Sequence, residues 1–182
     1  MRKTVLCAAL LLAPLLHADS EQDRRNEAGI RLFGTLLAAD VDLAKKATPD
    51  GKLLLLIYYS NDARSAEALA KSLRVTPSGE PRKLGGFAVD VGITSDPAFT
   101  NQNPAGVFLA QPPPAATLKS IIQYGIARRI IVYSPYEGHV ESGVAGGLSV
   151  GAQVKPYINA STLAASQISL KAIFMKVAKV YQ

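Results

Sequence analysis

The chain has 182 residues, 48% of them hydrophobic, enough for one well-buried core and with nothing that requires two domains. Setting aside Arg2 and Lys3 with an expected leader leaves 18 of the 20 basic residues against 14 acidic ones, a net charge of about +4. The basic residues stand singly or in pairs such as Lys45-Lys46 and Arg128-Arg129, so the clustered surface that nucleic acid needs is not indicated.

Met1 to Ala18 has the layout of a secretory signal peptide: a basic start, an apolar stretch from Val5 to Leu16, and the small Ala18 before a polar run. The apolar part is short for a permanent anchor, so no membrane span is expected after cleavage, and the destination is the periplasm. Asp19 to Asn26 then forms a polar N-terminal segment, and 27–182 a single α/β domain. The one cysteine, Cys7, leaves with the leader, which removes disulfide and thiol chemistry; His139 is the only histidine outside it.

Asn26 to Lys46 reads as an amphipathic helix with Ile30, Phe33, Leu36 or Leu37, Val41 and Leu43 on one face, softened by Gly29 and Gly34. Lys52 to Tyr59 carries a continuous apolar run, the pattern of a strand covered on both faces. Asp62 is placed to cap a helix over Ala63 to Leu73, although the N–H groups of 60–64 could also receive an anion. A turn-rich connection, Val75 to Leu84, leads to a strand over Gly86 to Ile93, and the polar loop Asp96 to Asn103 to another over Ala105 to Ala110. Pro112 to Pro114 stiffens the approach to a helix over Ala115 to Tyr124, and Ile130 to Tyr133 is the next strand.

The C-terminal block reads as two short strands, with Leu148 and Val150 in one and Val154 and Ile158 in the other, joined by a turn at Gly151 to Gln153. Asn159 stands at a helix cap, and Ser166 to Ser169 breaks the chain before a last helix. In that helix Leu170, Ile173, Phe174, Val177 and Tyr181 form an apolar stripe, with Lys171, Lys176 and Lys179 on a basic face. Strands alternating with helices argue for crossovers and a mostly parallel sheet. The expectation is an α/β three-layer sandwich with an antiparallel edge hairpin and a C-terminal packing helix. The pairs Gly85-Gly86 and Gly146-Gly147 read as turns at strand starts.

Candidate chemistry concentrates in the loop after the strand that ends at Tyr133. Tyr133, Tyr136, Glu137, His139 and Glu141 follow one another where an open α/β sheet places its ligand crevice, outside the carboxyl ends of its strands. Solvated loop surface accounts for the same residues. One histidine and no thiol is a poor donor set for a transition metal, and Ser134 and Ser142 lack a nucleophile-elbow context, so neither a metal nor a catalytic group is assigned. No cofactor is expected. The Asn159-Ala160-Ser161 sequon suits a helix cap better than a glycan.

The order glycine pair, strand, short turn, strand ending in Ile158-Asn159, small-residue helix and a closing L-K-x-x-x-x-K-V-A-K-V run resembles the YfiR-like periplasmic proteins. The resemblance extends upstream through Ile130 to Gly147 and, more thinly, to Leu53. It implies a non-enzymatic regulator that binds and restrains the periplasmic part of an inner-membrane signalling protein of the diguanylate cyclase type, with control of cyclic di-GMP and biofilm, and allows a homodimer. Members of that family can carry structural disulfides, and this chain departs from them there. The alternative is a periplasmic small-ligand binding or sensor protein feeding a kinase or transporter. A hydrolase built on the Tyr133 to Glu141 loop is a third reading.

Overall fold

A computed structural model describes residues 13–182 of the chain, with side chains at 22 and 24–182. The expected leader, Met1 to Ala18, lies outside the described residues as far as position 12. The first described element is a long helix, α1 (Ala13–Ala39), followed by a 3-10 turn at Leu43–Lys46. The polar segment 19–26 thus belongs to the same helix as the amphipathic part, which ends at Ala39 and not at Lys46. Ile30, Phe33, Leu36 and Leu37 are its buried face, while Val41, beyond the helix end, is exposed.

Strand β1 (Lys52–Tyr58), helix α2 (Ala63–Arg74), β2 (Lys83–Leu84), β3 (Phe87–Thr94), β4 (Gly106–Leu109), helix α3 (Ala115–Arg128) and β5 (Ile131–Ser134) follow. The chain continues through β6 (Gly146–Ser149), β7 (Lys155–Asn159), two short helices α4 (Ala160–Ala165) and α5 (Ala172–Met175), and β8 (Lys179–Tyr181). All eight strands form one sheet in the order β2-β3-β1-β4-β5-β6-β7-β8. The run from β3 to β6 is parallel, β2 and β7 join it antiparallel, and β8 lies parallel to β7.

The sheet is covered on both faces, as a doubly wound fold requires. On one face Leu53, Leu55, Ile57, Phe108, Ile131 and Tyr133 lie under α1 and α2. On the other, Leu56, Tyr58, Val107, Leu109 and Val132 meet Leu118, Ile121 and Ile122 of α3. The continuous apolar run of β1 follows from this, since successive side chains point to opposite faces and both faces are dry. Asp62 caps α2 by accepting from the N–H groups of Arg64 and Ser65 at 3.0 and 3.1 Å. Asn159 caps α4, its Oδ1 accepting from Thr162 N at 2.8 Å while its Nδ2 donates to Val140 O at 2.8 Å. Held at both ends and buried, that amide is out of reach of a glycan.

Three expectations are corrected. The closing segment is not one helix: α5 has four residues and the chain then extends into β8. Of the expected stripe Phe174 is buried, but Ile173 is 71% and Val177 57% exposed. The helix loses because backbone groups on both sides of it are claimed elsewhere. Lys171 N donates to Ala39 O at 2.8 Å, Ser169 O accepts from Val41 N at 3.0 Å, and 179–181 supplies the partner that β7 would otherwise lack. The β6–β7 hairpin, turning through 150–154, is therefore internal and β8 forms the edge. Lastly, Gly146 and Gly147 are not a turn but the start of β6, where α1 crosses so closely that a Cβ on Gly146 collides with Leu36 Cδ2.

Candidate functional site

Helix α2, after β1, packs on the α1 face, and α3, after β4, packs on the opposite one. The direction of winding reverses between β1 and β4, so the crevice of this fold opens outside their carboxyl ends. Three loops meet there: 59–62 after β1, 110–114 after β4, and 135–145 after β5.

The chain fills this crevice with its own groups. Gln111 Oε1 accepts from three successive backbone N–H groups, Ser60, Asn61 and Asp62, at 2.9, 3.0 and 3.2 Å, and its Nε2 donates to Asp62 O at 2.8 Å. Three N–H groups converging on one oxygen form a nest of the kind that takes an anion; here a neutral amide occupies it. From the other side α1 reaches over the loop after β5. Arg25 donates to Pro135 O at 3.3 Å and to Glu137 Oε1 at 3.2 Å. Gly29 permits the approach, because a Cβ there would stand 3.1 Å from Pro135 Cβ. Tyr136 OH donates to Ala110 O at 2.5 Å, joining the β5 loop to the end of β4.

Of the five residues singled out from the sequence, Tyr136 and His139 come together, with ring centroids 5.6 Å apart, and the other three go separate ways. Tyr133 is a core side chain, 1% exposed, stacked on Phe108 at 5.6 Å and tilted against Phe33 at 5.7 Å. Burial pushes its hydroxyl far above the ordinary phenol range, and that hydroxyl has no hydrogen-bond partner. Tyr136 is half-buried; burial pushes its hydroxyl up to about 12 against the opposing pull of Arg25 and Asn26. Glu137 is exposed and paired with Arg25. Glu141 lies beside Tyr157, whose hydroxyl is pushed up by burial and then by that carboxylate. His139 is held below its usual value by burial, and its Nδ1 lies 2.7 Å from Ser134 Oγ.

A serine oxygen on an imidazole nitrogen is the geometry of an activated nucleophile. Ser134, however, is 0% exposed, and its Oγ also accepts from Tyr136 N at 3.2 Å, so the pair braces the loop and meets no substrate in this arrangement. Among the described residues no group of three or more His, Cys, Asp or Glu side chains comes together to hold a metal ion. Among them, too, no helix is long and apolar enough to cross a membrane.

Sequence reasoning missed Gln111, Arg25 and Asn26. Gln111 sits 51 residues from Ser60, and Arg25 112 residues from Glu137, so neither contact leaves a local pattern. Two concavities lie away from the crevice. A groove of about 360 Å³ runs between α1 and α2, floored by Ile30 and Leu69 and edged by Glu27, Arg31, Lys71 and Arg82. A second, of about 210 Å³, lies at the opposite end of the sheet from the crevice, around Asp40, Lys46 and Arg129.

No family model matches the sequence, and no curated protein is similar to it. Solved structures do share the fold. The ABC domain from Streptococcus pneumoniae in complex with L-Trp superposes with a TM-score of 0.52 at 12% identity, over 80% of this chain and 62% of that one. The ligand-free, open form of a substrate-binding protein with adhesive properties from Clostridium difficile gives 0.49 at 14% identity, over 78% of this chain and 59% of that one. A conserved domain protein from Vibrio cholerae gives 0.49 at 12% identity, over 78% and 58%. The chain thus spans less than two thirds of the length of each of these three structures, and the likeness is one of fold.

Proposed function

We propose that the chain is a periplasmic binding protein of the sensor type, which holds a small ligand without transforming it and passes its presence on through contact. The observation that carries this reading is the groove between α1 and α2. Its apolar floor and three cations against one carboxylate suit a small organic anion with an apolar body. Arg82 is already oriented, donating to Ser72 O at 3.0 Å and Val75 O at 3.3 Å, and its Nε is buried without a partner. The fold shared with a domain that holds L-Trp is consistent with such a role. The route for the signal is short, since α1 lines the groove with Glu27, Ile30 and Arg31 and holds the β5 loop with Arg25. A ligand acts only through its different affinity for the free and the held positions of α1. A thermal-shift screen of metabolites is expected to find a stabilising anion whose effect disappears in Arg31→Ala with Arg82→Ala. A screen in which no metabolite raises the melting temperature overturns the reading.

A second reading rests on a different observation. Ile173, Met175, Val177, Val180 and Tyr181 are all 38% exposed or more, and they surround the open edge of β8. An unpaired edge with apolar neighbours is suited to strand addition by a protein partner. This is the regulator implied by the YfiR-like resemblance, with the periplasmic part of an inner-membrane cyclase as partner. Its contact surface is then β8, because the hairpin expected at the sheet edge is internal, with β6 paired to β5 and β7 to β8. Val180→Lys with Ile173→Glu is expected to abolish binding to such a fragment at an unchanged melting temperature. Binding that survives both substitutions removes this reading.

A further inference from the structure

The second cavity, at the amino ends of β4 and β5, holds a buried charge arrangement that neither reading above uses. Asp40 follows the last residue of α1, and its side chain is 1% exposed; Lys46, at the end of the 3-10 turn, is 14% exposed and lies 2.6 Å from Asp40 Oδ2. The contact is an ion pair by distance, yet neither Asp40 Oδ2 nor Lys46 Nζ completes a hydrogen bond of acceptable geometry. Beyond this ion pair the carboxylate oxygen keeps a lone pair and the ammonium keeps protons to share, capacity that buried polar groups usually use. Oδ1 accepts from Asp42 N at 2.9 Å.

The rim of the cavity is cationic. Arg128 and Arg129 line it with Lys45 and Lys46, four positive groups against Asp40 and Asp42, and among the described residues neither arginine forms an ion pair. Arg129 is held at the end of α3 with φ 57, in the left-handed region that costs a side chain and suits glycine. A non-glycine residue at that position gives up stability that glycine would return, and what it gains is a guanidinium over the cavity mouth.

We propose that this cavity binds a phosphate group in its monohydrogen form, with its oxygens on Lys46, Arg128 and Arg129 and its P–O–H donating to Asp40 Oδ2. The carboxylate is what narrows the class. A site of cations alone takes any oxyanion, whereas a buried carboxylate repels one unless the anion brings a proton to share. Inorganic phosphate carries that proton at neutral to mildly alkaline pH, and sulfate, of the same charge and nearly the same shape, does not. The volume of about 210 Å³ exceeds what one phosphate needs and leaves room for water or a small esterified group.

The test is isothermal titration of the purified full chain with inorganic phosphate and, separately, with sulfate. Phosphate is expected to bind at least about tenfold more tightly, the value of one hydrogen bond to a charged group. In Asp40→Asn that preference should vanish. Arg129→Gly should raise the melting temperature of the unliganded protein and weaken phosphate about tenfold, a combination that a purely structural arginine does not produce. It also keeps the test decisive if Asp40→Asn fails to fold. Arg31→Ala, in the groove between α1 and α2, should leave phosphate binding in place. Equal affinity for the two anions, no measurable heat with phosphate, or loss in Arg31→Ala with retention in Arg129→Gly each overturns the assignment. Loss in Arg31→Ala would move phosphate to the groove; the other outcomes do not bear on whether the groove takes its own ligand.

Discussion

Gly146 marks where α1 presses on the sheet, and Gly147 where β5 and the loop after it do. A Cβ on Gly147 would stand 2.7 Å from both Ser134 O and Val140 Cγ2, and a backbone oxygen inside a ladder has nowhere to move. Gly147→Ala is therefore expected to cost about 1–3 kcal/mol, read as a lowered urea midpoint at unchanged slope. Tyr136 gives a pH signature. Its hydroxyl is raised by burial to about 12. Its contribution is therefore complete below the unfolded value of about 10 and is lost as pH rises through the raised one. Tyr136→Phe should flatten the alkaline limb of the stability profile. His139 acts on the other side. With its folded value lowered by burial, its contribution is present above the unfolded value of about 6.5 and is lost as pH falls through the lowered one.

At the scale of the element, the last thirteen residues show how a periodic apolar stripe can be divided. Leu170, Phe174 and Ala178 turn inward onto the core that α1 covers, while Ile173 and Val177 face out. A continuous docked helix predicts similar costs for Phe174→Ala and Ile173→Asp. The observed arrangement predicts about 3–5 kcal/mol for the first and within about 0.5 kcal/mol for the second, measured by denaturant unfolding. The local period is real, but a twelve-residue helix is marginal alone, and the unpaired edge of β7 offered its backbone a better set of partners.

For the whole molecule, α1 is the piece that joins the core to the candidate loops. Its apolar half, Ile30 to Leu37, belongs to the core, and its polar half, with Arg25 and Asn26, lies over the loop after β5. A chain beginning at Glu27 should keep the first half and lose the second. Hydrogen exchange is expected to show faster amides over 135–142 with protection in β1, β4 and β5 unchanged. Loss of protection throughout would mean that the polar half is needed for folding.

Much of the fold can be read from the chain without coordinates. The double-faced run of β1, the inward faces of α2 and α3 and the caps at Asp62 and Asn159 all rest on neighbours two to four positions away, and period and side-chain chemistry report such neighbours directly. The candidate loop was legible as a position, the carboxyl end of β5, but not as a site. That Gln111 fills the nest at 60–62, that Arg25 closes over Glu137, that Tyr133 turns into the core and that Asp40 and Lys46 meet beneath Arg129 are contacts or placements set by the folded chain. Tertiary structure alone decided these, and the exchange of the last helix for β8. In each case the backbone or side-chain partner is chosen by what the assembled sheet leaves unsatisfied, and that is a property of no single stretch of sequence.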